Sequence, residues 1–277
     1  GLVGYWDFEG DVNDKTSSGN NGFLNGASYD TNTPFNSCQL INSNGCDSTA
    51  VLNLTINTPD TSYNNVTVCD SYTLNDSTYT QSGTYYINTG SNNNYSMSLD
   101  GVDDYISLSP VDLSHSNNMT LMCWINAEDL QSDEWNNLIS QNWGEPNWLV
   151  QFYNFGNTIN FNVEDINGIN FNLDVNVNPS SLENDWHHIT ATYDGSSQKI
   201  YIDGVLYGSN SISGSNIAYG GNNQTIYHAI GTHSFPGNND ETFDGSIEDV
   251  SIWDISLSQQ DIQQYMNCPP TGSEAGL

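Results

Sequence analysis

Apolar and polar residues alternate with period two along most of this chain, and Gly, Asn or Asp punctuates the alternation. Such a pattern predicts half-buried β-strands joined by tight turns. The clearest instance is Asp185 to Gly204, DWHHITATYDGSSQKIYIDG. Ile189, Ala191 and Tyr193 alternate with His188, Thr190 and Thr192, Asp194-Gly195 supplies a turn, and Lys199 to Ile202 alternates up to a second Asp-Gly at 203–204. Alternation on both sides of Asp-Gly is a strong short-range hairpin signal. Further strands are expected at Leu2 to Phe8, around Phe23-Leu24, and at Met97 to Leu99, Tyr105 to Leu108, Met119 to Asn126 and Leu138 to Ser140. The series continues at Trp148 to Phe152, Ile159 to Phe161, Ile169 to Phe171, Ile226 to Gly231 and Ile247 to Asp254. After it, Ser258-x-x-Asp261 reads as a capping box that opens one short helix. Ile262, Tyr265 and Met266 share a face of that helix, and Pro269-Pro270 ends it.

Residues 34–94 interrupt the pattern. They are rich in Thr, Ser and Asn and hold Cys38, Cys46 and Cys69. The triplet Cys-Asp-Ser occurs at Cys46 and again at Cys69. The organisation expected is a discontinuous β domain over 1–33 and 95–267, an inserted β module over 34–94, and a linker over 268–277. Gly276-Leu277 repeats the opening Gly1-Leu2, which suggests one copy cut from a tandem array.

Composition narrows the function. Two lysines, Lys15 and Lys199, face 33 acidic residues, there is no arginine, and the net charge is −31. Nucleic acid is bound through Lys and Arg, so this balance argues against it, and against anionic membrane surfaces. No apolar run approaches the roughly 18 residues of a membrane span, so membrane insertion is not expected. Acidity suits salty or calcium-rich water, where screening and divalent cations relieve self-repulsion. It equally suits plain solubility. Acidity and cysteine placement together point to a secreted, extracellular or cell-surface protein.

Several motifs resemble those of one family. The opening GLVGYWDFEG, the strand SMSLDGVDDYISL, the hairpin above and the tail DGSIEDVSIWDISLSQQDI are similar, in that order, to laminin-G-like, concanavalin-A-like jelly-roll modules, with pentraxins as relatives. NGCDSTAVLNLTI and VCDSYTLNDSTYTQSGTYY resemble a Cys-Asp-Ser β repeat of large surface proteins of marine Bacteroidota. The resemblance implies an all-β, two-sheet antiparallel jelly-roll sandwich with a small β insertion and one short C-terminal helix. It also implies a non-enzymatic, calcium-stabilised module of an adhesin or surface filament that contacts other copies of itself. Pentraxins hold calcium through an acidic stretch before the last strand, and the comparable Gly231 to Gly237 has no carboxylate. That ligand site does not carry over.

Candidate chemistry lies in the loops. Asp11, Asp14, Asn20 and Asn21 in the first loop, closed by Glu248 or Asp249 of the last strand, offer the oxygen donors calcium takes, and a solvated acidic loop is the plainer reading. Asp100, Asp103 and Asp104 are expected to serve a turn and solvent. Trp143 and Trp148, with Trp135 nearby, sit in or beside an Asn/Gly-rich loop and are candidates to stack on sugar rings, which would make the module lectin-like. Glycoside hydrolysis needs paired carboxylates about 5–9 Å apart, and the Glu-x-Asp-x-(x)-Glu pattern of glucanases is absent. The expectation is therefore not an enzyme. Cys123 is expected as a reduced core residue. Cys38, Cys46, Cys69 and Cys268 allow three pairings, with Cys38 or Cys46 to Cys69 preferred.

Overall fold

The computed structural model describes residues 1–34, 94–141, 148–219, 227–233, 241–270 and 272, with two short strands at 72–74 and 77–79. Its frame is two antiparallel sheets packed face to face. The larger sheet runs β15 (Val205–Ser211), β14 (Ser197–Ile202), β13 (His187–Tyr193), β8 (Met119–Ala127), β17 (Asp244–Trp253), β6 (Ser96–Asp100) and β3 (Ser28–Asp30), with β1 (Leu2–Trp6) also on β17. The smaller sheet runs β12 (Asn170–Asn176), β11 (Thr158–Glu164), β10 (Trp148–Tyr153), β9 (Trp135–Gln141), β16 (His228–Ile230), β7 (Tyr105–Leu108) and β2 (Gly22–Asn25). A separate pair, β4 (Tyr72–Leu74) and β5 (Ser77–Tyr79), lies within the expected insertion. The chain leaves the larger sheet after β3 and re-enters it in β6, directly paired with β3. The rest of 35–93 lies outside the described residues.

Alternation decides which side chains meet between the sheets. Ile189, Ala191 and Tyr193 of β13 face inward with Leu121, Cys123 and Ile125 of β8. Val150 and Phe152 of β10, and Ile159, Phe161 and Val163 of β11, meet them from the smaller sheet. Sheets packed this way lie roughly 10 Å apart, which one layer of interleaved side chains fills. Tyr5 and Trp6 point to opposite sides of β1, as adjacent strand residues must. The Trp6 indole enters the core and donates to the Asn20 carbonyl at 3.1 Å. The Tyr5 hydroxyl donates to Asp249 Oδ1 at 2.6 Å. Cys123 is a free, fully buried thiol, and burial pushes its pKa up.

The helix α1 (Gln259–Asn267) begins as the sequence predicts. Ser258 accepts from the Asp261 N–H, and the Asp261 carboxylate accepts from the Ser258 N–H. Its inner face covers the outside of the larger sheet through Ile262 and Tyr265, which pack with Met122, Tyr201 and Trp253. Among the described residues no helix is long and apolar enough to cross a membrane.

The two Asp-Gly turns have distinct jobs. Asp194 Oδ1 accepts from the N–H groups of Ser196 and Ser197. Asp203 and Gly204 both have positive φ, 51° and 70°, the geometry of a two-residue hairpin that feeds β15. Asp203 also holds the start of β13, accepting from His188 N at 2.8 Å and pairing with His187 Nδ1 at 2.8 Å. The Asp203 hydrogen bond raises the His187 pKa. Burial works to raise Asp203 itself, but its bonds from His187 and the His188 backbone outweigh burial and lower it.

A pH-dependent stability follows. A raised His contributes below its unfolded pKa and loses the contribution as pH climbs through the folded value; a lowered Asp contributes above its unfolded pKa and loses it as pH falls. The pair is therefore worth most between about pH 4 and 6.5. Asp203→Ala removes both bonds and leaves a non-glycine residue at positive φ, and should cost about 2 kcal/mol in that window. Thermal melts of both proteins across pH 3–9 check it: the gap should narrow toward either end, and a gap independent of pH would refute the pairing.

Candidate functional site

The first loop is held together by protein donors. Asp14 accepts from Tyr5 N and Thr16 N on Oδ1, and from Thr16 Oγ1 and Asn20 N on Oδ2. Asn21 Oδ1 accepts from Asp14 N, and Asn20 Nδ2 donates to the Val3 carbonyl. Lys15 Nζ sits 2.9 Å from Asp11 and 3.3 Å from Asp7. A calcium ion at Asp11 and Asp14 would displace this ammonium and these donors. Asp249 is the extra residue of a bulge in β17, at φ 48°, and serves Tyr5. No three of Asp11, Asp14, Glu248 and Asp249 bring ligand oxygens within 4.8 Å of one another. In the structure Asp14 and Asn20 tie the first loop to β1, and Asp249 ties β1 to β17.

Among the described residues, one group of three carboxylates does converge within 4.8 Å: Asp100, Asp103 and Asp104. Asp100 Oδ1 accepts from the N–H groups of Val102 and Asp103, which is the turn chemistry expected of Asp-Gly.

Trp148 corrects the expectation of a sugar contact. It is fully buried, shares the inward face of β10 with Val150 and Phe152, and lies 5.6 Å from the His228 ring. An indole inside the core cannot stack on a ligand outside it. Trp143 lies outside the described residues, as do Cys38, Cys46 and Cys69. Cys268 is disulfide-bonded; the preferred pairing of Cys38 or Cys46 with Cys69 falls on residues that are not described.

The polar chemistry gathers instead on the outer face of the smaller sheet. Strand alternation that sends Val150, Phe152, Ile159, Phe161, Leu173 and Val175 inward must send their neighbours outward. Those neighbours are mostly amides. Register aligns them in three rows: Trp135–Tyr153–Thr158–Asn176, Asn137–Gln151–Asn160–Asp174, and Ser140–Leu149–Asn162–Asn172. The first row carries an aromatic platform. Trp135 and Tyr153 are half-buried and stack with ring centroids 5.2 Å apart and planes 18° from parallel.

The middle row is wired together. Gln151 Nε2 donates to Asn160 Oδ1 at 3.2 Å, and Asn160 Nδ2 donates to Asp174 Oδ1 at 2.7 Å. The Tyr153 hydroxyl donates to Asp174 Oδ2 at 3.2 Å; desolvation and then the Asp174 charge raise its pKa, so it stays a neutral donor. In the third row Asn162 Nδ2 donates to Asn172 Oδ1 at 2.6 Å. At the β9 end, Asn137 Nδ2 donates to the Glu241 carbonyl at 3.1 Å, and Glu241 Oε2 lies 3.0 Å from His233 Nδ1. Asn137 Oδ1 and Asn162 Oδ1 have no hydrogen-bond partner. Asn137, Ser140, Leu149, Gln151 and Asn160 are buried, whereas Trp135, Tyr153, Asn162, Asn172, Asp174 and Asn176 keep exposed surface, so the face offers ring surface beside the amides and carboxylate of β11 and β12.

Sequence reasoning placed β10, β11 and β12 but drew nothing from their outward positions. The signal was present: TINFNVE and NFNLDVN alternate apolar residues with Asn and Asp, residues that strands otherwise disfavour. The Glu241–His233 pair crosses a long loop, and no spacing rule finds it.

A two-sheet antiparallel jelly-roll sandwich is the fold of the concanavalin-A-like superfamily. This chain belongs to that family: the model described as Concanavalin A-like lectin/glucanases superfamily matches residues 99–263. Among solved structures, the binding domain of Paraclostridial Mosquitocidal Protein 1 is similar with a TM-score of 0.59 and 12% identity, covering 96% of this chain and 52% of that one. The botulinum neurotoxin serotype G binding domain is similar with a TM-score of 0.55 and 16% identity, over 96% of this chain and 51% of that one. The chain thus spans about half the length of these toxin domains. Domain 4 of AbnA, a GH43 extracellular arabinanase from Geobacillus stearothermophilus, solved in complex with arabinotriose, is similar with a TM-score of 0.53 and 16% identity, over 95% of this chain and 96% of that one. Identities this low establish shared fold. No curated protein matches the sequence.

Proposed function

We propose that this chain is a non-catalytic glycan-binding module that presents the outer face of its smaller sheet to a polysaccharide or to cell-surface glycans, as part of a larger extracellular protein. The observation that carries the reading is the Trp135–Tyr153 stack set beside the hydrogen-bonded chain Gln151–Asn160–Asp174. Sugar rings present C–H faces that pack on aromatics and hydroxyls that need several fixed partners at once. Rigid strands position such groups better than loops do. The similar arabinanase domain, solved with arabinotriose, and the similar toxin binding domains support a binding role, and an adhesive purpose is compatible with it.

Hydrolysis fits less well. Among the described residues the carboxylates on this face are Asp174 on β12, Glu164 at the end of β11, and Glu241, held beside Asn137 of β9. β9 and β12 are three strand spacings apart, about 14 Å, and Glu164 is four residues along β11 from Asn160, the partner of Asp174, about 13 Å, both beyond the roughly 9.5 Å limit for a glycosidase pair. Retention of the protein on insoluble polysaccharides, and mobility shifts in gels containing soluble ones, test the proposal. Specific retardation by at least one glycan is expected, and a panel on which the protein runs as a non-binding control would refute it.

A second reading, a module that contacts copies of itself, is favoured by one observation. Phe23 and Leu24 on edge strand β2 are 63% and 41% exposed, and Tyr29 on edge strand β3 is 38% exposed beside Tyr95. Apolar residues on unpaired edges invite edge-to-edge contact. Sedimentation decides between an oligomer that Phe23→Lys dissolves, which this reading requires, and a monomer, which removes it.

A further inference from the structure

We infer that the sheet face selects an uncharged, hydroxyl-rich sugar chain and rejects anionic ones such as uronic-acid or sulfated polymers. The inference rests on the glycan-binding reading and adds the class of sugar to it. Two observations carry it.

The first is what is missing from the face in cationic chemistry. Recognition of a carboxylate or sulfate ester calls on Arg or Lys. The chain has no arginine, and neither lysine is on this face. Lys15 is held between Asp7 and Asp11 in the first loop. Lys199 lies on β14, in the other sheet. The one imidazole at the face, His233, is matched by Glu241.

The second is the sign of what remains. Asp174 and Glu241 flank the amide rows at opposite ends. An anionic sugar laid across the rows would bring its charge toward one or the other, in a chain of net charge −31.

The test uses the full chain and polymer pairs that differ mainly in charge: polygalacturonate against its highly methyl-esterified form, and carrageenan against agarose, beside neutral arabinan, xylan, mannan and β-glucan. Affinity electrophoresis is run with a chelator, at low and high sodium chloride. The expected result is retardation by one or more neutral polymers, unchanged by salt, with anionic polymers at least 10-fold weaker at equal concentration. Retardation by anionic polymers as strong as by neutral ones, at either salt concentration, would overturn the charge inference and leave the glycan-binding reading standing. Retardation by none of the polymers would overturn the reading beneath it and the inference with it.

Discussion

Trp135→Ala is expected to weaken glycan binding about 30-fold, the consequence of losing some 2 kcal/mol at a central aromatic contact. Trp135 starts β9 on the outward side, half-buried, with its ring nearly parallel to Tyr153. It leaves the sandwich interior untouched, because the inward positions of β9 and β10 are filled by Ile139, Val150 and Phe152. The fold should therefore survive, with the melting temperature lowered by no more than a few degrees. Tyr153→Phe supplies a graded control. It keeps the ring and removes only the bond to Asp174, so the loss should be about 10-fold or less, within the range of one charge-assisted hydrogen bond. Isothermal titration with the best glycan from the retention panel reads both. Equal affinity for wild type and Trp135→Ala would remove the aromatic platform from the account.

Trp148→Ala should have the opposite signature, a large loss of stability. Trp148 is fully buried at the start of β10, and truncating a buried Trp costs about 3–5 kcal/mol. In a domain of this size that lowers the melting temperature by roughly 10 °C. Trp148→Phe keeps most of the packing and should fold with glycan affinity close to wild type. A Trp148→Phe protein that melts normally but has lost glycan binding would return Trp148 to the ligand and contradict its placement in the core.

How far the sequence could carry this account is clear from these two tryptophans. Both stand at the start of a strand, beside a polar loop, and loop position alone suggests that either one is exposed. Strand parity separates them. Trp148 shares parity with Val150 and Phe152, so it faces inward. Trp135 is paired with Tyr153, of the opposite parity. The two-sheet architecture, the Asp-Gly hairpins, the reduced Cys123 and the capped helix were legible for the same reason: each is a local pattern that tertiary packing reinforces.

The expected calcium set shows where local pattern is ambiguous. A loop dense in oxygen donors looks identical whether those oxygens take a metal or backbone N–H groups. The structure gives Asp14 to Tyr5, Thr16 and Asn20, and Asp11 to Lys15. The Lys15 partner four residues from Asp11 was visible in the sequence; the backbone donors were not. The amide rows were hidden differently. Each strand shows only one member of each row, and the site exists only once register sets β9 to β12 side by side.

The central claim is that the outer face of the smaller sheet is the ligand face. Side-chain amide resonances test it directly, since Asn137, Gln151, Asn160 and Asn162 each carry an NH₂ group there. Titrating a neutral oligosaccharide from the retention panel into labelled protein should shift these amide signals and the Trp135 indole N–H together, with one saturation curve, while the Trp148 indole stays in place. Shifts confined to residues of the first loop or the larger sheet, with the four amides unmoved, would contradict the account.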